Sequence, residues 1–219
     1  GARTAALLSG DVDFIDQVPT SDLAKLSKDS RVRMSEADGL RLIFLFMDHL
    51  HAQSPVITDN AGKVLDKNPL KDLKVRQALS IAIDRQAIAQ RVMEGAAAPT
   101  AQFLSIGAFG TLPGLQPAKA DPEGAKKLLA GAGYPDGFHI VLSGPNDRYI
   151  NDARIIQAIG QMWARIGIRT QVDAQPWAAY VQKAARRDIA AGLVGWGISS
   201  GEATSPLRAL LATPTPEKG

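Results

Sequence analysis

Cysteine is absent from the 219 residues, which excludes a disulfide framework, a thiolate metal site and a cysteine nucleophile without fixing the compartment. No apolar run reaches the roughly 18 residues that a membrane-spanning helix needs, and no charged-then-apolar leader opens the chain. The protein is therefore either intracellular or read without its leader. A one-sided charge balance is lacking too. The 25 Lys and Arg are scattered among 22 Asp and Glu, leaving a formal net charge of +3. That argues against a dedicated nucleic-acid or membrane surface, so no nucleic-acid partner is expected. Internal repeats and low-complexity tracts are also missing.

What is present is a 45% hydrophobic composition over a length that suits one large domain or two small ones. The chain opens at "GARTAALLSGDVDFI" and closes at "PTPEKG", with neither a Met start nor a settled last element, and is expected to be an excised piece. Its pattern alternates helices and strands. "RTAALLSG" reads as a short helix stopped by Gly10, "DVDFIDQVP" as a buried strand closed by Pro19, and "DLAKLSKD" as a helix capped by Ser21 and Asp22. Two strands follow, "RVRMSEA" with Val32 and Met34 alternating, and "RLIFLFMD", whose continuous apolar run suits a sheet centre. Residues 49–71 read as loop.

"DLKVRQALSIAIDRQAIAQRVMEG" spaces Val75, Ala78, Leu79, Ala82 and Ile83 for one buried helix face, and Asp84 caps a second helix that ends at Gly95. Residues 96–120 read as a wrapping surface segment. Asp121, Pro122 and Glu123 then start a well-marked helix that glycines end. "FHIVLSG" is a strand, residues 152–166 a helix burying Ile155, Ile156, Ile159, Met162, Trp163 and Ile166, "IRTQVDAQP" a strand, "WAAYVQKAARR" a short helix and "IAAGLVGWGI" a last strand. The order implies an α/β domain.

Candidate chemistry is sparse. Asp48, His49 and His51 in "DHLH" are possible metal ligands at a strand end, with a polar loop mouth as the plainer reading and no fourth ligand in view, so no metal is expected. "GAGYPDG" has the wrong glycine spacing for a dinucleotide fingerprint and follows a helix rather than opening one. Neither a cofactor nor catalysis is expected: Ser199 and Ser200 lack a nucleophile-elbow pattern, and His139 lies within a strand. Trp196, flanked by glycines at a strand end, is either a flat pocket wall or a core indole. In "VLSGPNDRYINDARII", Gly144 and Pro145 end a strand and Asn151 or Asp152 caps the next helix. Arg148 is thereby held on a short loop, where it either meets an anionic ligand beside the helix N-terminus or neutralises Asp147 or Asp152.

Four ordered stretches, "NPLKDLKVRQALSIAIDRQAI", "VMEGAAAPTAQF", "DPEGAKKLLAGAGYPDGF" and "MWARIGIRTQV", resemble the family-5 extracellular solute-binding proteins, the peptide, nickel and glutathione receptors of ABC importers. The resemblance covers nearly the whole chain. It implies one lobe of a type II periplasmic-binding-protein fold over residues 1–219, a mixed sheet flanked by helices. The first lobe, the leader and a returning C-terminal segment would lie outside it. It further implies a monomeric receptor without enzymatic activity, periplasmic or lipid-anchored outside the cytoplasmic membrane. Such a receptor closes two lobes on a peptide or glutathione-like solute and delivers it to a membrane permease. A nickel chelate, an opine, or a serine-dependent hydrolase are the alternatives. The ligand-binding residues implied are Asn146, Asp147, Arg148, Tyr149, Trp196, Ser199, Ser200 and Glu202. Relatives carry an Arg in the loop of Arg148, directed at the ligand carboxylate. Peptide receptors often place an Asp three residues after the Trp to hold an ammonium group. Ser199 stands there in this chain, which leaves Glu202 to supply the charge.

Overall fold

A computed structural model describes residues 1–104, 108–198 and 200–213. Its centre is a mixed five-stranded sheet of β1 (Arg41–Met47), β2 (Ile57–Thr58), β3 (His139–Pro145), β4 (Arg169–Gln175) and β5 (Ala191–Gly197). β3 pairs in parallel with β4 along its whole length and with β5 over Leu142 and Ser143, while β2 joins its first two residues antiparallel. β1 pairs antiparallel with β5, Arg41 opposite Gly197 and Met47 opposite Ala191.

Helices cover both faces of this sheet. α6 (Asp152–Ala164) packs on β3 and β4, burying Ile155, Ile156, Ile159 and Trp163 as the helical spacing predicts. Behind it lie α3 (Leu73–Ile81) and α5 (Pro122–Gly131), which pack together around Val75, Leu79, Ala125 and Leu129. The Trp163 indole N–H donates to the Leu79 carbonyl at 2.9 Å, and the Asp121 amide to the Ile81 carbonyl at 2.8 Å. Both are carbonyls of the last helical turn, which lack a partner within the helix. α7 (Trp177–Ala185) covers the other face, where the buried Tyr180 hydroxyl donates to the Leu193 carbonyl at 2.9 Å.

Two of the predicted caps form, those of Asp84 and Asp121; Ser21 and Asp22 make none, because the helix over Thr20–Leu26 starts earlier with Pro19 at its N-cap, and the Asp22 carboxylate accepts from the Thr4 hydroxyl instead. The Asp84 carboxylate accepts from the Ala87 amide at 2.8 Å and starts α4 (Arg85–Ala87), which runs on as a π-turn over Ile88–Val92. The Asp121 carboxylate accepts from the Gly124 amide at 2.8 Å. A single π-turn such as Ile88–Val92 adds one residue to the helix and shifts its face. Residues 96–120 hold no helix or strand among those described.

Four further expectations are corrected. Residues 11–19 form no strand, and Phe14 is 81% exposed, because no strand among the described residues runs beside them to take the ladder hydrogen bonds. Residues 31–37 are likewise irregular, for the same reason. β1 is not at the sheet centre: β5 is its only partner among the described strands. Its apolar run is continuous because both faces are packed. Ile43, Leu45 and Met47 join the main core, while Phe44 meets Phe103 edge-on at 5.7 Å and Phe46 lies against Gly192 beside Tyr180. Finally, the 49–71 segment contains β2 and a 3-10 turn over Pro69–Lys71.

The first helices, α1 (Ala2–Ser9) and α2 (Thr20–Leu26), lie outside the sheet. The Asn151 side-chain amide fastens α2 to the body, donating to Thr20 Oγ1 and to the Val92 carbonyl, each at 2.8 Å.

Candidate ligand site

The parallel strands β3, β4 and β5 end at one edge of the sheet, and antiparallel β1 begins there. Open α/β sheets bind small molecules at such carboxyl ends. The loop after β3 is held from several sides. The Asn146 amide donates to the Gln175 carbonyl at 2.9 Å, and Asp147 Oδ1 accepts from the Trp177 amide at 2.7 Å, which ties the ends of β3 and β4 together and caps α7. The Asp152 carboxylate, 3% exposed, accepts from the amides of Arg148 at 3.0 Å, Tyr149 at 2.9 Å and Ala153 at 2.9 Å.

The chain's own carboxylate thus takes one amide of the first turn of α6, that of Ala153, together with the two loop amides. An anionic ligand cannot use those amides, which corrects the expectation that Arg148 and the helix N-terminus would serve one ligand group. Asn151 occupies the N-cap position in a left-handed conformation with φ of 57° and makes no side-chain cap. Asn tolerates that conformation better than most residues.

With its backbone so fixed, Arg148 projects an exposed guanidinium whose carbon lies 5.2 Å from the Trp177 ring centroid and 5.9 Å from that of Tyr149. No carboxylate lies within ion-pair distance of it among the described residues. Asp147 and Asp152 bind backbone amides instead, so the surface-neutralisation reading has no support. Tyr149 and Trp177 meet edge-on at 5.9 Å. The Tyr149 hydroxyl leans toward the Gly195 carbonyl at 3.4 Å, and a Cβ on Gly195 would come within 2.8 Å of the ring. Glycine at that position is what lets the ring lie on β5.

A model of the bacterial extracellular solute-binding proteins, family 5 Middle, matches residues 1–216. This chain belongs to that family. It is 32% identical to Heme-binding protein A of Haemophilus influenzae across 96% of its length, and 26% identical to the dipeptide-binding protein of Escherichia coli across 99%. It spans 36% and 38% of those relatives' own lengths. Among solved structures, HbpA2 from Haemophilus parasuis matches 96% of the chain at 29% identity with a TM-score of 0.72, the chain covering 39% of it. The periplasmic binding protein DppA from Helicobacter pylori, in complex with the peptide STSA, matches 94% at 21% identity with a TM-score of 0.77, the chain covering 36% of it. The fold is that of one lobe of a periplasmic binding protein.

In this family-5 chain the expected ligand residues do not all gather. Asn146, Asp147, Arg148 and Tyr149 lie together, the first two as anchors and the last two as exposed or half-exposed groups. Trp196 is half-buried, but alternation along β5 puts it on the opposite face from Gly195 and hence from Tyr149. Its indole nitrogen is buried without a hydrogen-bond partner among the described residues. Ser199 lies outside the described residues. The Ser200 hydroxyl contacts Glu202, and Glu202 Oε2 accepts from the Thr204 amide at 2.9 Å, capping the short α8 (Thr204–Pro206). Hydrogen bonds from Thr204 hold the Glu202 carboxyl below its usual range. Trp177 and Arg41 were not foreseen. Both border β-strand ends next to Tyr149, and a scan for residues flanking strand ends would have found them.

The other candidates disperse. His51 Nδ1 pairs with Asp48 at 2.6 Å while His49 turns to the Met47 carbonyl, and no three metal-ligating side chains come together among the described residues. His139 opens β3 beside Arg169, at the end of the sheet away from Ser200, so no serine–histidine pair forms among the described residues. A groove of about 540 Å³ runs over the α7 face between β2, β3 and β4, lined by His139, Val141, Arg169, Gln171, Asp173 and Lys183. Arg148 is not among the residues that line it.

Proposed function

We propose that the full-length protein is the solute receptor of an ABC importer outside the cytoplasmic membrane. It captures a peptide or glutathione-like solute between two lobes and releases it unchanged to the permease. This chain supplies one lobe, acting as a monomer. The observation that carries the reading is the Arg148 guanidinium, stacked on Trp177 without a carboxylate partner among the described residues and presented where parallel strands end. A guanidinium fork matches a ligand carboxylate through two parallel hydrogen bonds. Relatives that include a dipeptide-binding protein of Escherichia coli and a glutathione-binding protein of Salmonella support a peptide-like ligand.

Calorimetry of the full-length receptor with dipeptides, glutathione and haem tests this. Arg148→Ala should weaken the carboxylate ligand that binds by roughly 2–5 kcal/mol, as when one partner of a buried charge pair is removed. Arg148→Lys should recover only part, because an ammonium lacks the fork. Unchanged affinity in the Ala variant would refute the anchor, and turnover of the ligand would refute a receptor.

A further inference from the structure

Arg41 is the first residue of β1, opposite Gly197, the last residue of β5. Direct cross-strand partners share a face, and the nearest atoms that a Cβ on Gly197 would meet are Arg41 Nη2 at 3.6 Å and Cζ at 3.8 Å. The absent side chain lets the guanidinium lie over the end of β5. Its carbon lies 5.8 Å from the Tyr149 ring centroid, against 5.9 Å for Arg148. Two cations therefore flank one ring, no more than about 12 Å apart.

Neither guanidinium has a carboxylate within ion-pair distance among the described residues. Of the acids beside these strand ends, Asp147 accepts from the Trp177 amide, Asp152 from the loop and Glu202 from the Thr204 amide, while exposed Asp38, three residues before Arg41, forms no ion pair with it among the described residues. A ring face attracts a cation, but it does not cancel the charge of two. This edge of the lobe thus presents two guanidiniums with which no described carboxylate pairs directly. Arg41 is set on a strand, and Arg148 on a loop fixed by Asp152, so both are positioned before a ligand arrives.

We propose that Arg41 is a second anion-binding residue of this site, and that the solute it takes carries two carboxylates, one for each guanidinium. The inference rests on the peptide-receptor reading above and narrows its substrate class. An extended chain covers at most about 3.5 Å per residue, so a peptide of two or three residues with one carboxylate at its end and one on a side chain spans the gap.

Calorimetry of the full-length receptor with two matched pairs provides the test. One pair is Gly-Glu and Gly-Gln, the other glutathione and its glycyl ethyl ester; within each pair only one carboxylate changes. The wild type should prefer the dicarboxylate of a pair by roughly tenfold or more. Arg41→Gln should reduce that preference to about twofold while leaving the monocarboxylate's affinity nearly unchanged, and Arg41→Lys should keep part of it. The thermal midpoint of both variants should match the wild type, since Arg41 is exposed at a strand start. Equal affinities within each pair, or equal losses for both members in Arg41→Gln, would overturn the role of Arg41 and leave the peptide reading standing. Failure of all four compounds to bind would overturn the peptide reading, and this inference with it.

Discussion

The carboxylate of Asp152 is the joint between the fold and the candidate site, and removing it has a computable consequence. In Asp152→Ala three amides, those of Arg148, Tyr149 and Ala153, lose their acceptor together. Hydrogen bonds to a charged group contribute about 1.5–3 kcal/mol each when buried, and loss of a helix-start acceptor alone costs about 1 kcal/mol. Arg148 is exposed, so water can reach part of the loop and replace some of the loss. A destabilisation of about 2–4 kcal/mol is expected. Asp152→Asn separates the contributions, because one amide oxygen can still take the two loop amides that Oδ2 holds. Its NH2 group then faces the Ala153 donor, so about 1–2 kcal/mol should be lost. Equilibrium urea unfolding of the 219-residue chain measures both. An Ala variant within about 0.5 kcal/mol of wild type, or an Asn variant as costly as Ala, would refute the argument that this carboxylate organises the loop.

Two further outcomes follow from the same geometry. Trp163→Phe should cost about 2–4 kcal/mol in urea unfolding, since Trp163 is fully buried and its N–H serves the Leu79 carbonyl, whereas half-buried Trp196, with no hydrogen bond to lose, should tolerate Phe at under about 1 kcal/mol; the reverse order would refute the core assignment. Burial pushes the Asp173 carboxyl up, but the Lys183 ammonium at 2.7 Å and the hydrogen bonds of Gln175 and Ser143 outweigh it and hold the carboxyl below its ordinary value of 3.8. A depressed folded-state value adds stability above the unfolded-state one and loses it as pH falls through the folded-state value. The stability gap between wild type and Lys183→Met should therefore be constant near neutrality and shrink below about pH 4 in acid titrations monitored by circular dichroism.

Residues 72–197 were largely legible because their signals are local. Asp84 and Asp121 cap their helices, Ile155, Ile156, Ile159 and Trp163 repeat at helical spacing, and the strands between are bounded by Gly and Pro. Residues 11–19 and 31–37 carry strand-like alternation too, but a strand exists only through its neighbour, and alternation says nothing about whether one is present. β1 misled in another way: an uninterrupted apolar run reports that both faces are covered, not where the strand stands in the order. At the site, the loop of Arg148 could be read from turn chemistry. Trp177, at the start of α7 just after β4, and Arg41, at the start of β1, reach Tyr149 from elsewhere in the sequence, and only the pairing of β1 with β5 and of β3 with β4 reveals it. For Trp196 the strand was right and the face went unread.

The pairing of β1 with β5 also sets a timetable. Met47 and Ala191, partners in the ladder, are separated by about 140 residues of chain. At ribosomal speeds of about 5–20 residues per second, β1 emerges on the order of ten seconds before the strand it needs. During that interval "LIFLFM", with strong β propensity and no charge, is a free template for other chains. Slow closure of so distant a contact keeps the lobe's last folding step late. Yield of the lobe in a cell should thus be governed by what shields β1 during synthesis rather than by the stability of the finished sheet.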